Sequence, residues 1–406
     1  MDPFDIIVFV ALLIFIYGVF SKLAENSVIS APMFFTGAGL LVSPACFNLI
    51  NVKFDGDVIS LIAKIALILI LFSDAAGINL RELKNEVKYP VRLLLIGLPL
   101  TMLLGWVLAI PFFGGYSFTL LAILAFILSP TDAALGLAVV NNKNIPDKIR
   151  QTINVESGLN DGMVLPPIIF CISLLGISAG SNFSLWYWIL FLLKQLILGA
   201  AIGGIVGWIG GWIINDASDR KWMSQKFQRM VAISIAILAY ALAEIIGGNG
   251  YIAAFFAGLL LGVHTAAIRK RIQEYGETEG QQFSLFVFLI FGLVMVPWSV
   301  NYWNWSVLLY ALLSLTIIRM LPVMISLYDS GIDMKTKLFI GWFGPRGISS
   351  ILYLLLIVSN LGIKGNEVIL STIVLTVLLS IYVHGFSAIP LSKLYVRKEN
   401  NQLNGE

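Results

Sequence analysis

Three acids stand out between residues 129 and 162. The segment opens Ser-Pro-Thr-Asp-Ala-Ala-Leu-Gly and closes Val-Glu-Ser-Gly-Leu-Asn-Asp-Gly, which sets Asp132, Glu156 and Asp161 inside apolar runs long enough to cross a membrane. An ionisable group at that depth is costly and marks a functional site by default. Pro130 interrupts its run, because it lacks an N–H and pushes its predecessor out of the helical region. Broken backbone at membrane depth is tolerated only where it is buried in protein or lines a cavity. Ser157 and Asp161 lie four apart and share a helical face, as do Glu156 and Asn160 on the adjacent row. Oxygens from Asp161, Asp132, Ser157 and the unwound backbone at Thr131 suit a hard monovalent cation such as Na⁺ or K⁺. A buried carboxylate that is protonated in one condition and free in another can exchange a proton for such an ion.

The rest of the chain agrees with membrane chemistry. Of its 406 residues, 58% are hydrophobic and only 12% charged, with a mean hydropathy of +0.90. Soluble domains carry roughly 25% charged residues, so the chain reads as an all-α polytopic membrane protein. A net charge of +3 gives no reason to expect nucleic acid as a partner. Cys46 and Cys171 read as two buried core thiols. No resident metal or cofactor is indicated by cysteine or histidine spacing. The opening Met-Asp-Pro-Phe-Asp lacks the basic region of a removable signal peptide.

Apolar stretches fall at 4–21, 30–50, 58–78, 90–112, 117–140, 150–175, 185–213, 229–247, 250–265, 282–299, 305–327, 337–359 and 367–391. Each approaches or exceeds the ~20 residues that span a bilayer core, which predicts about thirteen transmembrane helices, with 247–250 the weakest divider. The loop cations alternate. Lys22, then Arg81, Lys84, Lys88 and Arg92, then Lys143, Lys148 and Arg150 lie on one side, followed by Arg220, Lys221, Lys226, Arg229, Arg269, Lys270, Arg271, Lys335, Lys337, Lys393, Arg397 and Lys398. The opposite loops hold only Lys53 and Lys364. The positive-inside rule then places the N-terminus outside and the C-terminus in the cytoplasm.

Four cations remain within spans: Lys64, Lys194, Arg319 and Arg346. The two lysines lie near the outer surface and read as snorkelling side chains. Arg346 sits in Gly-Trp-Phe-Gly-Pro-Arg-Gly at 341–347, a second run broken by Gly and Pro. The broken helices are the fifth and the twelfth, corresponding elements of two halves if helices 1–6 and 8–13 are inverted repeats, and such pairs point to a transporter's binding site. At 1.5 Å per residue, Asp161 lies about 17 Å and Arg346 about 14 Å from the cytoplasmic surface, both near the midplane. A buried arginine needs an acid, and Glu156, on one helical row with Asn160, reads as the ion-pair partner of Arg346 rather than as a direct ligand of the cation.

These motifs carry a resemblance. Pro130-Thr131-Asp132, the run Glu156 to Gly162, and Gly341 to Gly347 resemble the signature segments of the NhaP-type bacterial sodium/proton antiporters, in the monovalent cation:proton antiporter-1 family related to the eukaryotic sodium/proton exchangers. Phe72-Ser73-Asp74, Ala243-Glu244, Ala257-Gly258-Leu259 and Arg319 with Pro322-Val323 extend it over nearly the whole chain. The resemblance implies inverted repeats with crossed broken helices 5 and 12. It also implies an ion-translocating core (parts of 58–175 and 305–391) moving against a dimerisation domain (helix 1 and about 185–300) in a homodimer of the inner membrane. By the same resemblance Asp161 and Asp132 are cation ligands with Ser157 and Thr131 completing the shell. Glu156 and Arg346 form the structural ion pair that Asn160 helps hold. Asp74 is the helix 3 acid that joins the site in some members, and its depth also fits a funnel role. Glu244 and Arg319 are candidates for a second buried pair. Asn160-Asp161, rather than two acids, resembles the electroneutral branch, hence 1:1 exchange of Na⁺ or Li⁺ for H⁺. The short tail after Lys398 is read as free of nucleotide or calmodulin regulation.

Other readings remain beside this one. These residues fit a K⁺/H⁺ or broadly selective exchanger as well as a Na⁺ one. A channel would need a filter loop, and an anion carrier would place cations at its site, whereas the excess midplane charge here is acidic. Gly199, Gly203, Gly207 and Gly211 fall at helical spacing and read as close-packing positions. His264 and His384 read as lying near helix ends.

Overall fold

A computed structural model describes residues 3–25, 27–50, 57–77, 88–132, 135, 139, 142, 144–177, 185–261 and 282–403. Among these the secondary structure is helical: α1 (Pro3–Glu25), α2 (Ala31–Val42), α3 (Asp57–Gly77), α4 (Lys88–Phe112), α5 (Phe118–Ile127), α6 (Asp147–Ile177), α7 (Leu185–Asp219), α8 (Gln225–Ile246), α9 (Gly250–Leu261), α10 (Gln282–Tyr302), α11 (Trp305–Ser326), α12a (Met334–Trp342), α12b (Ile348–Leu361) and α13 (Glu367–Leu403). Six helices, α4, α6, α7, α10, α11 and α13, are long and apolar enough to cross a membrane by length and composition, and shorter apolar helices accompany them. His264, Lys53, Arg81, Lys84, Lys143, Arg269, Lys270 and Arg271 lie outside the described residues.

The order of elements follows the hydropathy pattern, with differences that have local causes. The apolar run at 30–50 is helical only to Val42. Pro44 forces Ser43 into an extended conformation (ψ 167°), and the chain turns, leaving Cys46 exposed rather than buried. Cys171 is buried. The weak divider at 247–250 is a real turn: Gly247 adopts a left-handed φ of 81° as the α8 cap, and the Asn249 side chain accepts from Ile252 N at 3.1 Å to start α9. His384 lies mid-helix in α13 and is buried, not near a helix end. Lys64 and Lys194 are exposed.

Contacts group the chain into two compact units. One comprises Met1–Ser60, Lys88–Ser157 and Ser284–Glu406. Its interior includes an apolar cluster of Leu93, Ile153, Val323, Leu327, Ile340 and Phe343, and it holds both broken helices. The other comprises Leu61–Val87 and Gly158–Phe283. There α7 lies directly on α9. A Cβ at Gly203 would overlap the Ala253 carbonyl, one at Gly207 the Ala257 carbonyl, and one at Gly211 the Leu261 carbonyl. The glycine spacing therefore does what it promised, allowing backbone-to-backbone contact.

Candidate functional site: two broken helices that cap each other

α5 starts cleanly, with the Ser117 side chain accepting from Leu120 N at 3.2 Å. It ends because Pro130 cannot donate to the turn before it. Ser129 N reaches back to Phe126 O (3.1 Å) and the Ser129 hydroxyl to Ala125 O (2.7 Å), after which Thr131 and Asp132 leave the helix. α12a starts at Asp333, whose carboxylate accepts from Thr336 N. It stops before Gly344-Pro345, and α12b resumes at Ile348.

The two breaks meet. Asp132 N donates to Pro345 O at 2.8 Å, and the Asp132 carboxylate (Oδ2) accepts from Ile348 N at 2.8 Å. An acid thus sits on the positive N-terminal end of α12b, where the helix dipole favours it. In return, Arg346 Nη1 donates to Ser129 O (2.7 Å) and Pro130 O (3.0 Å), so a cation sits on the carbonyls beyond the negative end of α5. Ser350 Oγ adds a bond to Ile127 O at 2.8 Å. Two glycines make room for these charges. A Cβ at Gly347 would overlap the Asp132 carboxylate, and one at Gly344 would overlap the Arg319 guanidinium.

Arg346 is completely buried, yet its partners among the described residues are backbone carbonyls rather than Glu156. Glu156 pairs instead with Arg319 of α11, in a two-pronged ion pair of 2.6 and 2.8 Å with both side chains buried. This corrects the expected Glu156–Arg346 pair, and the reason is electrostatic. The carbonyls released at the α5 break supply the negative partner that Arg346 needs, which leaves Glu156 for the planar, bidentate guanidinium of Arg319. The expected Glu244–Arg319 pair is corrected by the same contact. Glu244 is exposed at the end of α8, and its Oε1 accepts from Gly250 N at 2.8 Å, capping α9.

α6 carries the remaining acids. Ser157, Asn160 and Asp161 are all buried, as are Thr131 and Asp132. Ser157 and Asp161 occupy one face of a continuous helix, one turn apart. The Ser157 and Thr131 hydroxyls are hydrogen-bonded at 2.9 Å, which ties the α6 face to the α5 break. Asp74 is half-buried in the last turn of α3. No cluster of three or more His, Cys, Asp or Glu fit to hold a resident metal occurs among the described residues.

Residues 8–394 match the family model described as "Sodium/hydrogen exchanger, transmembrane". The chain belongs to this exchanger family. Among its relatives are the Na⁺/H⁺ antiporter of Schizosaccharomyces pombe, 27% identical over 70% of this chain and 68% of that one, and the K⁺/H⁺ antiporter NhaP of Alkalimonas amylolytica, 26% identical over 84% of this chain and 58% of that one. The K⁺/H⁺ antiporter NhaP2 of Shewanella oneidensis is 23% identical, and this chain spans 46% of its length. The fold matches that of the sodium proton antiporter MjNhaP1 from Methanocaldococcus jannaschii at pH 8, with a TM-score of 0.81, 21% identity and coverage of 98% of this chain and all of that one. This is the antiporter fold of a multi-pass membrane protein in a family of cation/proton transporters.

The sequence missed the partners of the broken helices. Ser350 and Ser380 each meet a backbone group at a break, and their signal was the presence of serines at buried helical positions in apolar runs.

Proposed function

We propose that this exchanger carries one monovalent cation in one direction for one proton in the other, with both competing for Asp161. The observation that carries the reading is the buried α6 face, on which Asp161 lies one turn from Ser157, itself bonded to Thr131 at the α5 break. Asp161 binds either H⁺ or the cation, Ser157 and Thr131 supply further oxygens, and Asp132 contributes from the crossing it caps. Glu156 is matched in charge by Arg319, and Asn160 is neutral. The α6 pair Asn160-Asp161 therefore brings a single carboxylate to the exchange, which supports electroneutral 1:1 stoichiometry. Asp74 joins the ion or lines its approach.

Na⁺, with Li⁺, is the first choice of cargo. A K⁺/H⁺ exchange is the second reading, favoured by the K⁺/H⁺ antiporters among the relatives. The same reading puts the chain in the inner membrane as a homodimer surrounded by lipid, N-terminus outside and C-terminus in the cytoplasm. Its core moves against the dimerisation helices, and no cofactor takes part. The test is purified protein in liposomes with a trapped pH dye, given Na⁺, Li⁺ or K⁺ under a proton gradient, with and without valinomycin and K⁺ to clamp the potential. Cation-dependent proton flux insensitive to the clamp supports 1:1 exchange and ranks the ions. A strong response to the clamp contradicts it.

A further inference from the structure

α13 carries several buried hydroxyls, among them Ser371, Thr372 and Thr376, and the part of it that reaches the α12 break is Ser380, His384 and Ser387, at helical positions i, i+4 and i+7, with Ser380 and His384 fully buried. This row touches both sides of the α12 break. Ser380 Oγ accepts from Arg346 N at 2.6 Å, an N–H that the break leaves without a helical carbonyl. His384 Nδ1 lies 3.2 Å from Ser380 Oγ and 3.1 Å from Ser380 O. The His384 ring also faces the indole of Trp342, the last residue of α12a, with centroids 5.0 Å apart. That indole donates from Nε1 to Ser387 Oγ at 3.0 Å, and Ser387 Oγ donates back to His384 O at 3.3 Å.

We propose that His384 is a positioning residue for transport: with Ser380 and Ser387 it braces the α12 break, which Asp132 also caps, so that Arg346 stays aimed at the carbonyls of the α5 break. His384 orients the Ser380 hydroxyl, Ser380 holds the Arg346 amide, and the Arg346 guanidinium bonds Ser129 O and Pro130 O, immediately before Thr131 and Asp132. A buried polar row of this kind is costly unless each member is satisfied, and here every bond runs to the break or to another member of the row. The effect on transport rests on the exchange reading above. The brace itself does not.

The test has two arms. In liposomes, His384→Ala is expected to raise the apparent KM for the transported cation about three- to tenfold, the value of one buried hydrogen bond, with maximal flux changed less than about twofold, as for lost ground-state positioning. His384→Asn, which places an amide near the position of Nδ1, restores the wild-type KM. Ser380→Ala raises KM similarly, and the double variant is less impaired than the sum of the two single variants, because both weaken the hold on the Arg346 amide. In the second arm, hydrogen exchange of residues 343–348 in the purified protein accelerates in His384→Ala and not in His384→Asn. Wild-type KM together with wild-type exchange in His384→Ala, additive single variants, or failure of Asn to restore either readout would overturn the brace. If the wild type moves no cation, the transport reading fails, while the hydrogen-exchange arm still decides the brace.

Discussion

The α5–α12 crossing and the α7–α9 contact solve opposite problems with opposite chemistry. At the crossing the backbone is interrupted twice, and the freed groups are met by side chains: Asp132 on Ile348 N, Arg346 on Ser129 O and Pro130 O, Ser350 on Ile127 O and Ser380 on Arg346 N. At the α7–α9 contact both helices run unbroken, and closeness is achieved by removing side chains, with Gly203, Gly207 and Gly211 against carbonyls of α9. The first arrangement keeps charge and irregular backbone inside the fold. The second gives a smooth, tightly packed pair. Irregular backbone is confined to places where side chains can meet the groups it frees.

The comparison breaks most severely at the buried ion pair. Glu156→Ala leaves Arg319 charged and buried, and removal of one partner from such a pair costs about 3–5 kcal/mol. Detergent-solubilised protein should lose its folded peak in size-exclusion chromatography or melt far below the wild type. On the packed side, Gly203→Leu forces α7 away from α9 at a cost of about 1–3 kcal/mol, read as a lower melting temperature, whereas Gly18→Leu, where nothing lies within reach of an added Cβ, leaves it near the wild-type value. The smallest effect falls on a single cap. Ser350→Ala removes one hydroxyl bond to Ile127 O and costs about 1 kcal/mol, and a small fall in melting temperature is expected. A larger loss from Ser350→Ala than from Gly203→Leu would reverse the ranking of the two regions.

Both regions were partly legible in the sequence. Pro130, Gly344 and Pro345 announced the broken helices, because proline removes an N–H wherever it stands. Glycines every fourth residue announced the packed face of α7, since that spacing repeats once per turn. Ion-pair partners were not legible. Arg319 and Arg346 both lie in apolar runs, and depth arithmetic cannot say which helix either one meets. The backbone is a further partner open to Arg346, since a broken helix exposes carbonyls as surely as it exposes amides. The end of α2 is hard to read for a similar reason, because the run past Val42 is apolar and the turn is set by Ser43-Pro44.

The central claim is that Asp161 is where cation and proton compete. Its most direct test is the liposome pH-dye assay on wild type and Asp161→Asn at matched protein density and matched melting temperature. The account predicts cation-dependent proton flux in the wild type and none above empty liposomes in Asp161→Asn. Wild-type flux retained in the folded Asp161→Asn protein would contradict it and move the exchange chemistry to another group.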